Sequence, residues 1–214
     1  MSVKTERAKA LLKGLKALYP GARCELDYST PLELLVAVIL SAQCTDARVN
    51  KTTKALFKRY KTADDYARAR PAELEALVRS CGFYRSKALS IMTTARLIRD
   101  EHGGKVPDSM QALLTLRGVA RKTANVVLGE VYGKQDGVVV DTHMKRLAYR
   151  FGLTDEEDPV KVERDLNAVV PRASWRFWSH AVIWHGRRVC KALRPDCGAC
   201  ALRPSCPQRG VDAD

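Results

Sequence analysis

The fold is decided by the stretch Leu116-Arg117-Gly118-Val119-Ala120-Arg121-Lys122-Thr123-Ala124-Asn125-Val126-Val127-Leu128. It contains the turn residue Gly118 and then begins a helix, because apolar residues recur after the turn at helical spacing. The residues predicted to form one buried stripe are Ala120, Ala124, Val127, Leu128 and Val131. Before the turn, Leu113, Leu114 and Leu116 predict an earlier helix with Asp108 as its N-cap. The stretch therefore predicts two helices joined by a tight turn.

A turn of this kind can bind a ligand. Backbone N–H groups and the positive end of the helix dipole hold a phosphate without reading a base, and Gly118 lets the phosphate approach closely. The alternative is a plain connector between two antiparallel helices.

Two residues near this turn are candidates for chemistry. Lys122 lies about 200° round the helix from Ala120, so it points away from the buried stripe. Arg121 and the start of the helix disfavour a further positive charge there, which leaves more neutral, nucleophilic amine. Asp141 follows the apolar run Val138-Val139-Val140 and directly precedes a helix. Asp141 is therefore predicted to be an N-cap whose carboxylate can also act electrostatically. For Lys122 the alternative interpretation is an ordinary lysine in contact with solvent.

The composition limits the class of protein. The chain has 214 residues, 46% of them hydrophobic, and 37 Lys and Arg against 24 Asp and Glu give a formal net charge of +13. This length and apolar content exclude a disordered chain and a disulfide-stapled small protein. The positive charge indicates a polyanionic partner. The sequence has no apolar run of membrane-spanning length and no signal-peptide pattern, so we expect no membrane association and a cytoplasmic location, at the nucleoid if the source is bacterial.

Elsewhere, too, apolar residues recur mostly at helical spacing, with short turn signals between them. A mostly α-helical protein is predicted, since only Gly137–Val140 is strand-like and it is too short to build a sheet. The sequence contains no Walker A loop, HExxH motif or Rossmann glycine pattern, so nucleotide hydrolysis and nicotinamide chemistry have no support.

Four of the seven cysteines fall within the last 25 residues, in the pattern C-x6-C-x2-C-x5-C. These are Cys190, Cys197, Cys200 and Cys206. Four thiolates so close together suit either a zinc ion or an iron–sulfur cluster, and general metal chemistry does not decide between them. Basic residues surround the cysteines, so a ligated loop would present Lys191 and Arg194 outward, where they could contact phosphate.

Together these residues resemble the endonuclease III family, the iron–sulfur DNA glycosylases and abasic-site lyases of the helix-hairpin-helix superfamily. The resemblance spans nearly the whole chain and rests on Ser41-Ala42-Gln43 with Thr45-Asp46, residues 116–128, Val140-Asp141-Thr142-His143, His185-Gly186-Arg187 and the cysteine spacing. It implies an all-α helix-hairpin-helix glycosylase fold of two domains with the active site in a cleft between them. Residues 24–134 would form a six-helix domain with the hairpin, and residues 1–23 and 135–214 the iron–sulfur domain.

The resemblance also implies roles for single residues. Lys122 matches the catalytic lysine and Asp141 the catalytic aspartate, while the four clustered cysteines match the ligands of a 4Fe–4S cluster. Gln43 and Phe83 match positions that fill or wedge the gap left by an extruded nucleotide, although their residue types alone would equally suit a polar helix end and a core aromatic. The predicted DNA contacts are Gln43, Phe83, Gly118, Ala120, Lys191 and Arg194.

The activity implied is that of a bifunctional enzyme on double-stranded DNA that carries a damaged pyrimidine or an abasic site. The sequence contains no oligomerisation signal, so a monomer is the simpler expectation. The damaged nucleotide leaves the duplex, the Lys122 amine displaces the base and forms a Schiff base, and β-elimination cuts the strand 3′ to the abasic site.

At three positions the sequence departs from the family pattern: Arg117 replaces a usual proline, Ala120 the second hairpin glycine, and Phe83 a usual leucine. Alanine would be strained at residue 120 if the turn required a positive φ there.

Three other classes compete with this interpretation. A mismatch-specific relative would lack the lysine, which Lys122 argues against. A non-catalytic DNA-binding module would use the hairpin and the basic segment only to hold phosphate. A redox protein would account for the cysteines and leave the hairpin unexplained.

Overall fold

The structure is a computed structural model that describes residues 2–134 and 136–211. Residues 1, 135 and 212–214 lie outside the described residues, and the predicted domain boundary at residue 135 is among them. All regular secondary structure in the described residues is helical, which confirms the all-α prediction, and Gly137–Val140 forms no strand. No helix in the described part of the chain is both long and apolar enough to cross a membrane.

The chain divides into two compact units. We call Glu25–Lys134 the central unit, and the described residues 2–24 and 136–211 the terminal unit. The α-helices of the central unit are α2 (Pro31–Ser41), α3 (Asp46–Arg59), α4 (Ala63–Ala67), α5 (Pro71–Val78), α6 (Tyr84–Glu101), α7 (Met110–Leu114) and α8 (Arg121–Val131), with a 3-10 turn at Arg79–Cys81. Those of the terminal unit are α1 (Val3–Leu18), α9 (Thr142–Arg150), α10 (Pro159–Val169) and α11 (Trp175–Arg188), with 3-10 turns at Arg172–Ser174 and Arg203–Ser205.

Helix α2 forms the core of the central unit. Thr30 caps it, with its hydroxyl oxygen accepting from the Glu33 N–H at 3.1 Å, and Pro31 occupies the first turn, where its missing N–H costs nothing. Its residues from Leu34 to Leu40 are all buried, as expected for a helix that is apolar on every side. Helices α3, α6 and α8 all pack against α2, so it supports the residues that follow the hairpin turn.

The core of the terminal unit lies between α1, α9, α10 and α11. Trp178 on α11 is fully buried and meets Phe151 edge-on, with ring centroids 6.5 Å apart. Leu202, from the cysteine segment, is also buried in this core, and the backbone at Gly14 of α1 leaves room for it. The cysteine segment is therefore fastened to the helices by an apolar anchor.

Candidate active site and four-cysteine centre

The predicted hairpin forms at α7 and α8, around Gly118. Gly118 has φ of +79°, a conformation that favours glycine, and a Cβ atom there would lie 3.0 Å from the Ser90 Cβ. The hydroxyl of Thr94 donates to the Arg117 carbonyl at 2.9 Å. Backbone conformation, close packing and a side-chain hydrogen bond thus fix the turn together.

Ala120 is the N-cap of α8 and has φ of −90° and ψ of 171°, which alanine adopts without strain. Glycine is therefore not required at this position. Ala120 is exposed and does not belong to the buried stripe, so that part of the sequence prediction is wrong. The reason is that the helix begins one residue later, at Arg121. Ala124, Val127 and Leu128 are buried as predicted.

Lys122 is exposed in the first turn of α8, on the side predicted from the helical period. The N-cap of this helix is an alanine, which has no side-chain oxygen with which to cap the first turn. An exposed amine thus lies at the positive end of a helix, beside a turn whose glycine permits close approach.

Gln43 and Phe83 share an unusual backbone conformation. Gln43 lies between α2 and α3 with φ of +52°, and Phe83 is the N-cap of α6 with φ of +46°. Such angles are uncommon for residues other than glycine, cost on the order of 1 kcal/mol and concentrate at functional positions. Phe83 is 70% exposed, which excludes the interpretation of Phe83 as a core aromatic. Both residues therefore present their side chains from strained turns of the central unit.

Asp141 is the N-cap of α9, as predicted, and its Oδ1 atom accepts from the Met144 N–H at 2.8 Å. It is half-buried and follows the buried residues Val138 and Val139. One carboxylate oxygen is therefore engaged in the cap, which fixes the direction of the other.

The four clustered cysteines line one pocket of the terminal unit, together with Phe151 and His185. None of them forms a disulfide. Cys190 is buried and the other three are half-buried. The Arg150 guanidinium donates to the Cys190 Sγ at 3.3 Å, and the Gln208 N–H to the Cys206 Sγ at 3.4 Å.

This donor set fits an iron–sulfur cluster. Burial raises the pKa of the Cys200 and Cys206 thiols, so thiolates there need a positively charged partner such as iron. N–H groups that donate to sulfur are typical of the surroundings of metal-bound thiolates. Among the described residues, no three His, Cys, Asp or Glu side chains are grouped as a site for one metal ion.

The loop between Cys190 and Cys197 presents Lys191 and Arg194 to solvent, as predicted. Arg194 has φ of +50°, another non-glycine residue in the left-handed region. Leu193 between them is 85% exposed. The loop thus offers two cations and the large apolar side chain of Leu193 at its outer surface.

Two buried cations in the described part of the chain were not predicted from the sequence. Lys87 on α6 and Arg150 on α9 are each less than a tenth exposed, and both donate to backbone carbonyls of neighbouring segments. In the sequence they resemble any solvated cation. Only the face on which Lys87 lies, three residues before Ser90 and four before Ile91, indicates burial, because both of those residues are buried.

Comparison with known proteins agrees with this geometry. Residues 36–172 match the profile of the HhH-GPD superfamily base excision DNA repair proteins. The chain is 54% identical to endonuclease III of Synechocystis sp. over 97% of this chain and 94% of the relative. Two solved structures, a non-covalent endonuclease III–DNA complex and a trapped endonuclease III–DNA covalent intermediate, each align with a TM-score of 0.91 at 40% identity, over 97% of both chains.

The chain therefore belongs to the HhH-GPD superfamily of base excision DNA repair proteins and, within it, to the endonuclease III family. It is a DNA glycosylase and abasic-site lyase. The family carries a 4Fe–4S cluster.

Proposed function

We propose that this enzyme removes oxidised pyrimidines from double-stranded DNA with Lys122 as the nucleophile, and then cuts the strand at the resulting abasic site. The exposed position of Lys122 at the start of α8, next to the glycine turn, is the observation that carries the proposal. The trapped covalent intermediate solved for a relative at 40% identity supports a covalent route.

In the proposed reaction the neutral Lys122 amine attacks C1′ of the damaged nucleotide, and the C1′–N bond to the base breaks. The base leaves with the bonding electron pair and takes up a proton. The C1′–O4′ bond then breaks, the ring oxygen keeps the bonding pair and takes up a proton, and Nζ and C1′ are left joined as a protonated Schiff base. Removal of a C2′ proton then expels the 3′ phosphate by β-elimination, and water releases the enzyme.

Asp141 is proposed to accept the proton from the Lys122 amine and to stabilise positive charge that develops on the sugar. Its cap hydrogen bond from the Met144 N–H supports this role, because it fixes the position of the carboxylate. An amide at the same position would keep the cap and lose the charge.

Gln43 and Phe83 are proposed to occupy the space that the extruded nucleotide leaves in the duplex. Extrusion costs a few kcal/mol of stacking and pairing, and an inserted side chain recovers part of it. The exposure of both residues and their strained backbone support this role.

Gly118 and Ala120 of the hairpin, with Lys191 and Arg194 of the cysteine loop, are proposed to contact phosphate. Contacts of this kind are independent of sequence and weaken with added salt.

Cys190, Cys197, Cys200 and Cys206 are the proposed ligands of the 4Fe–4S cluster. When bound, the cluster supplies four metal–sulfur bonds that hold the loop of Lys191 and Arg194 in one shape. The pocket that the four cysteines share and the N–H groups that donate to two of their sulfurs support the assignment.

The enzyme is further proposed to consist of two domains. The predicted division into residues 24–134 and residues 1–23 with 135–214 is supported by the two compact units. We also propose that the enzyme acts as a monomer in the cytoplasm.

Borohydride trapping tests the nucleophile. Duplexes that contain thymine glycol or an abasic site are incubated with the wild type, with Lys122→Ala and with Lys105→Ala, a control that removes another exposed lysine of the central unit. We expect adducts from wild type and control on both duplexes, and a loss of at least about 10³-fold for Lys122→Ala, which keeps salt-sensitive DNA binding.

Three results would contradict parts of this proposal. Retained trapping by Lys122→Ala would remove Lys122 from its role. Wild-type trapping at the abasic site alone would leave a lyase with altered base recognition. A wild type that traps neither duplex would favour a DNA-binding or mismatch-specific relative.

A further inference from the structure

The ammonium group of Lys87 lies between the two segments that carry Gln43 and Phe83. Its Nζ atom donates to the Leu40 carbonyl at 2.9 Å and to the Cys81 carbonyl at 2.6 Å. Leu40 is in the last turn of α2, three residues before Gln43, and Cys81 is two residues before Phe83. One side chain therefore joins both segments.

The backbone of Lys87 reinforces this link. Its N–H donates to the Phe83 carbonyl at 3.0 Å, the bond that starts α6. Phe83 is consequently fixed on one side by the amide of Lys87 and on the other through Cys81 by its ammonium.

Burial makes these bonds costly to remove. Lys87 is 6% exposed, and burial lowers the pKa of its amine. The Leu40 carbonyl belongs to the end of a helix, where carbonyls lack intrahelical partners. Without the ammonium, both carbonyls would lose a charged donor away from water, and the two segments could separate.

The same face of α6 also reaches the hairpin. Ser90 and Thr94 lie three and seven residues after Lys87 and are buried too. Ser90 packs against Gly118, and Thr94 donates to the Arg117 carbonyl. Thr94 therefore provides a matched comparison: a buried polar side chain on the same helix that supports the hairpin instead of the two strained turns.

We propose that Lys87 is a positioning residue for nucleotide extrusion, which holds Gln43 and Phe83 at a fixed separation by binding the Leu40 and Cys81 carbonyls. The inference rests on the proposed roles of Gln43 and Phe83. It concerns extrusion of a damaged base and leaves the chemistry at Lys122 unchanged. An abasic site has no base to extrude, so its cleavage depends much less on Lys87.

The test compares two single-turnover rates in the full-length enzyme: base release from a thymine glycol duplex and β-elimination at a preformed abasic site. Lys87→Met keeps the length of the side chain and removes its donors. We expect base release to fall about 10- to 100-fold and β-elimination to change less than about 3-fold. Thr94→Val also removes a hydrogen bond made by a buried side chain, and we expect it to leave the ratio of the two rates unchanged.

A double-mutant cycle sharpens the assignment. If Lys87 acts through Gln43 and Phe83, Lys87→Met has less than about 2-fold further effect in a Gln43→Ala Phe83→Ala background. Full additivity would overturn the inference, as would an equal fall of both rates in Lys87→Met. If Lys87→Met does not fold, Lys87→Arg replaces it. The larger guanidinium keeps donors but displaces the carbonyls, so a selective loss of base release is expected and an equal loss of both rates contradicts the proposal.

Failure of the inference about Lys87 and failure of the proposed roles of Gln43 and Phe83 give different results. If the Gln43→Ala Phe83→Ala variant keeps the wild-type ratio of base release to β-elimination, the proposed roles of those two residues are contradicted, and the inference is contradicted with them. If that variant loses base release and Lys87→Met does not, only the inference fails.

Discussion

The hairpin of the central unit and the cysteine segment of the terminal unit are held in different ways. The hairpin turn is fixed by regular helices on both sides, by the close approach of Gly118 to Ser90 and by one hydrogen bond from Thr94. Residues 189–211, all of them described, form no α-helix and contain only the 3-10 turn Arg203–Ser205.

Side chains replace regular structure in the cysteine segment. Arg150 donates to the Lys191 carbonyl at 2.6 Å and to the Ala192 carbonyl at 3.0 Å, and Arg146 donates to the Cys190 carbonyl at 3.0 Å. Leu202 is the apolar anchor. The hairpin can therefore form from its own sequence and neighbours, whereas the cysteine segment relies on distant cations and on the proposed cluster.

The largest effect is expected from breaking the cysteine segment. Cys197→Ser removes one proposed ligand, so the visible absorbance of the cluster should disappear, and DNA binding should weaken at least about 10-fold because Lys191 and Arg194 lose their fixed positions. Cys44→Ser, at a cysteine of the central unit, is the matched control. Absorbance, filter binding and thermal unfolding measure the outcome.

Hydrogen exchange in the same variant tests the contrast directly. Amides of residues 189–211 should lose protection while those of α7 and α8 keep it, because the hairpin is supported locally. An equal loss of amide protection in both regions would contradict the conclusion that the hairpin is stabilised independently of the cysteine segment. A Cys197→Ser enzyme that keeps the full visible absorbance of the cluster would contradict it as well.

The structural effect expected at the cap of α9 is smaller, but the effect on the chemistry is large. Asp141→Asn keeps the cap oxygen and removes the charge, so base release should slow about 10²- to 10³-fold while the free energy of unfolding changes by less than about 1 kcal/mol. Asp141→Ala removes both and should also lower stability. Single-turnover base release and denaturant unfolding check the pair, and a largely unfolded Asp141→Asn would leave only the capping role.

The smallest effect is expected at the hairpin itself. Ala120→Gly restores the usual family residue, yet Ala120 has φ of −90°, so no strain is relieved. DNA affinity should change less than about 2-fold and stability by less than about 0.5 kcal/mol. A large gain in DNA affinity would contradict this expectation. It would show that the Ala120 side chain restricts the approach of phosphate and does more than occupy the N-cap.

Local sequence signals predicted much of the fold. The cap at Asp141 and the burial of Ala124, Val127 and Leu128 on α8 followed from residue type and period, since capping and amphipathic burial act within a few residues. The predicted cap at Asp108 is wrong: Ser109 caps α7 with its hydroxyl, and Asp108 pairs with Lys134, 26 residues further on. A distant partner of this kind leaves no local trace.

The catalytic and ligand assignments for Lys122, Asp141 and the four cysteines remain predictions that the geometry supports. The residue types do not indicate the positive φ at Gln43, Phe83 and Arg194, which are three of the six residues predicted to contact DNA. Backbone strain at non-glycine residues depends on surrounding packing, which the residue type does not encode.

By itself the sequence determined the all-α class, the hairpin with its exposed lysine and the cysteine spacing, because helical period, glycine turns and ligand spacing are properties of adjacent residues. Only the tertiary structure decided that Lys87 and Arg150 are buried and bind the carbonyls of distant segments. A lysine or arginine is stable in water or buried with its donors satisfied, and the choice depends on carbonyls brought near it by the fold.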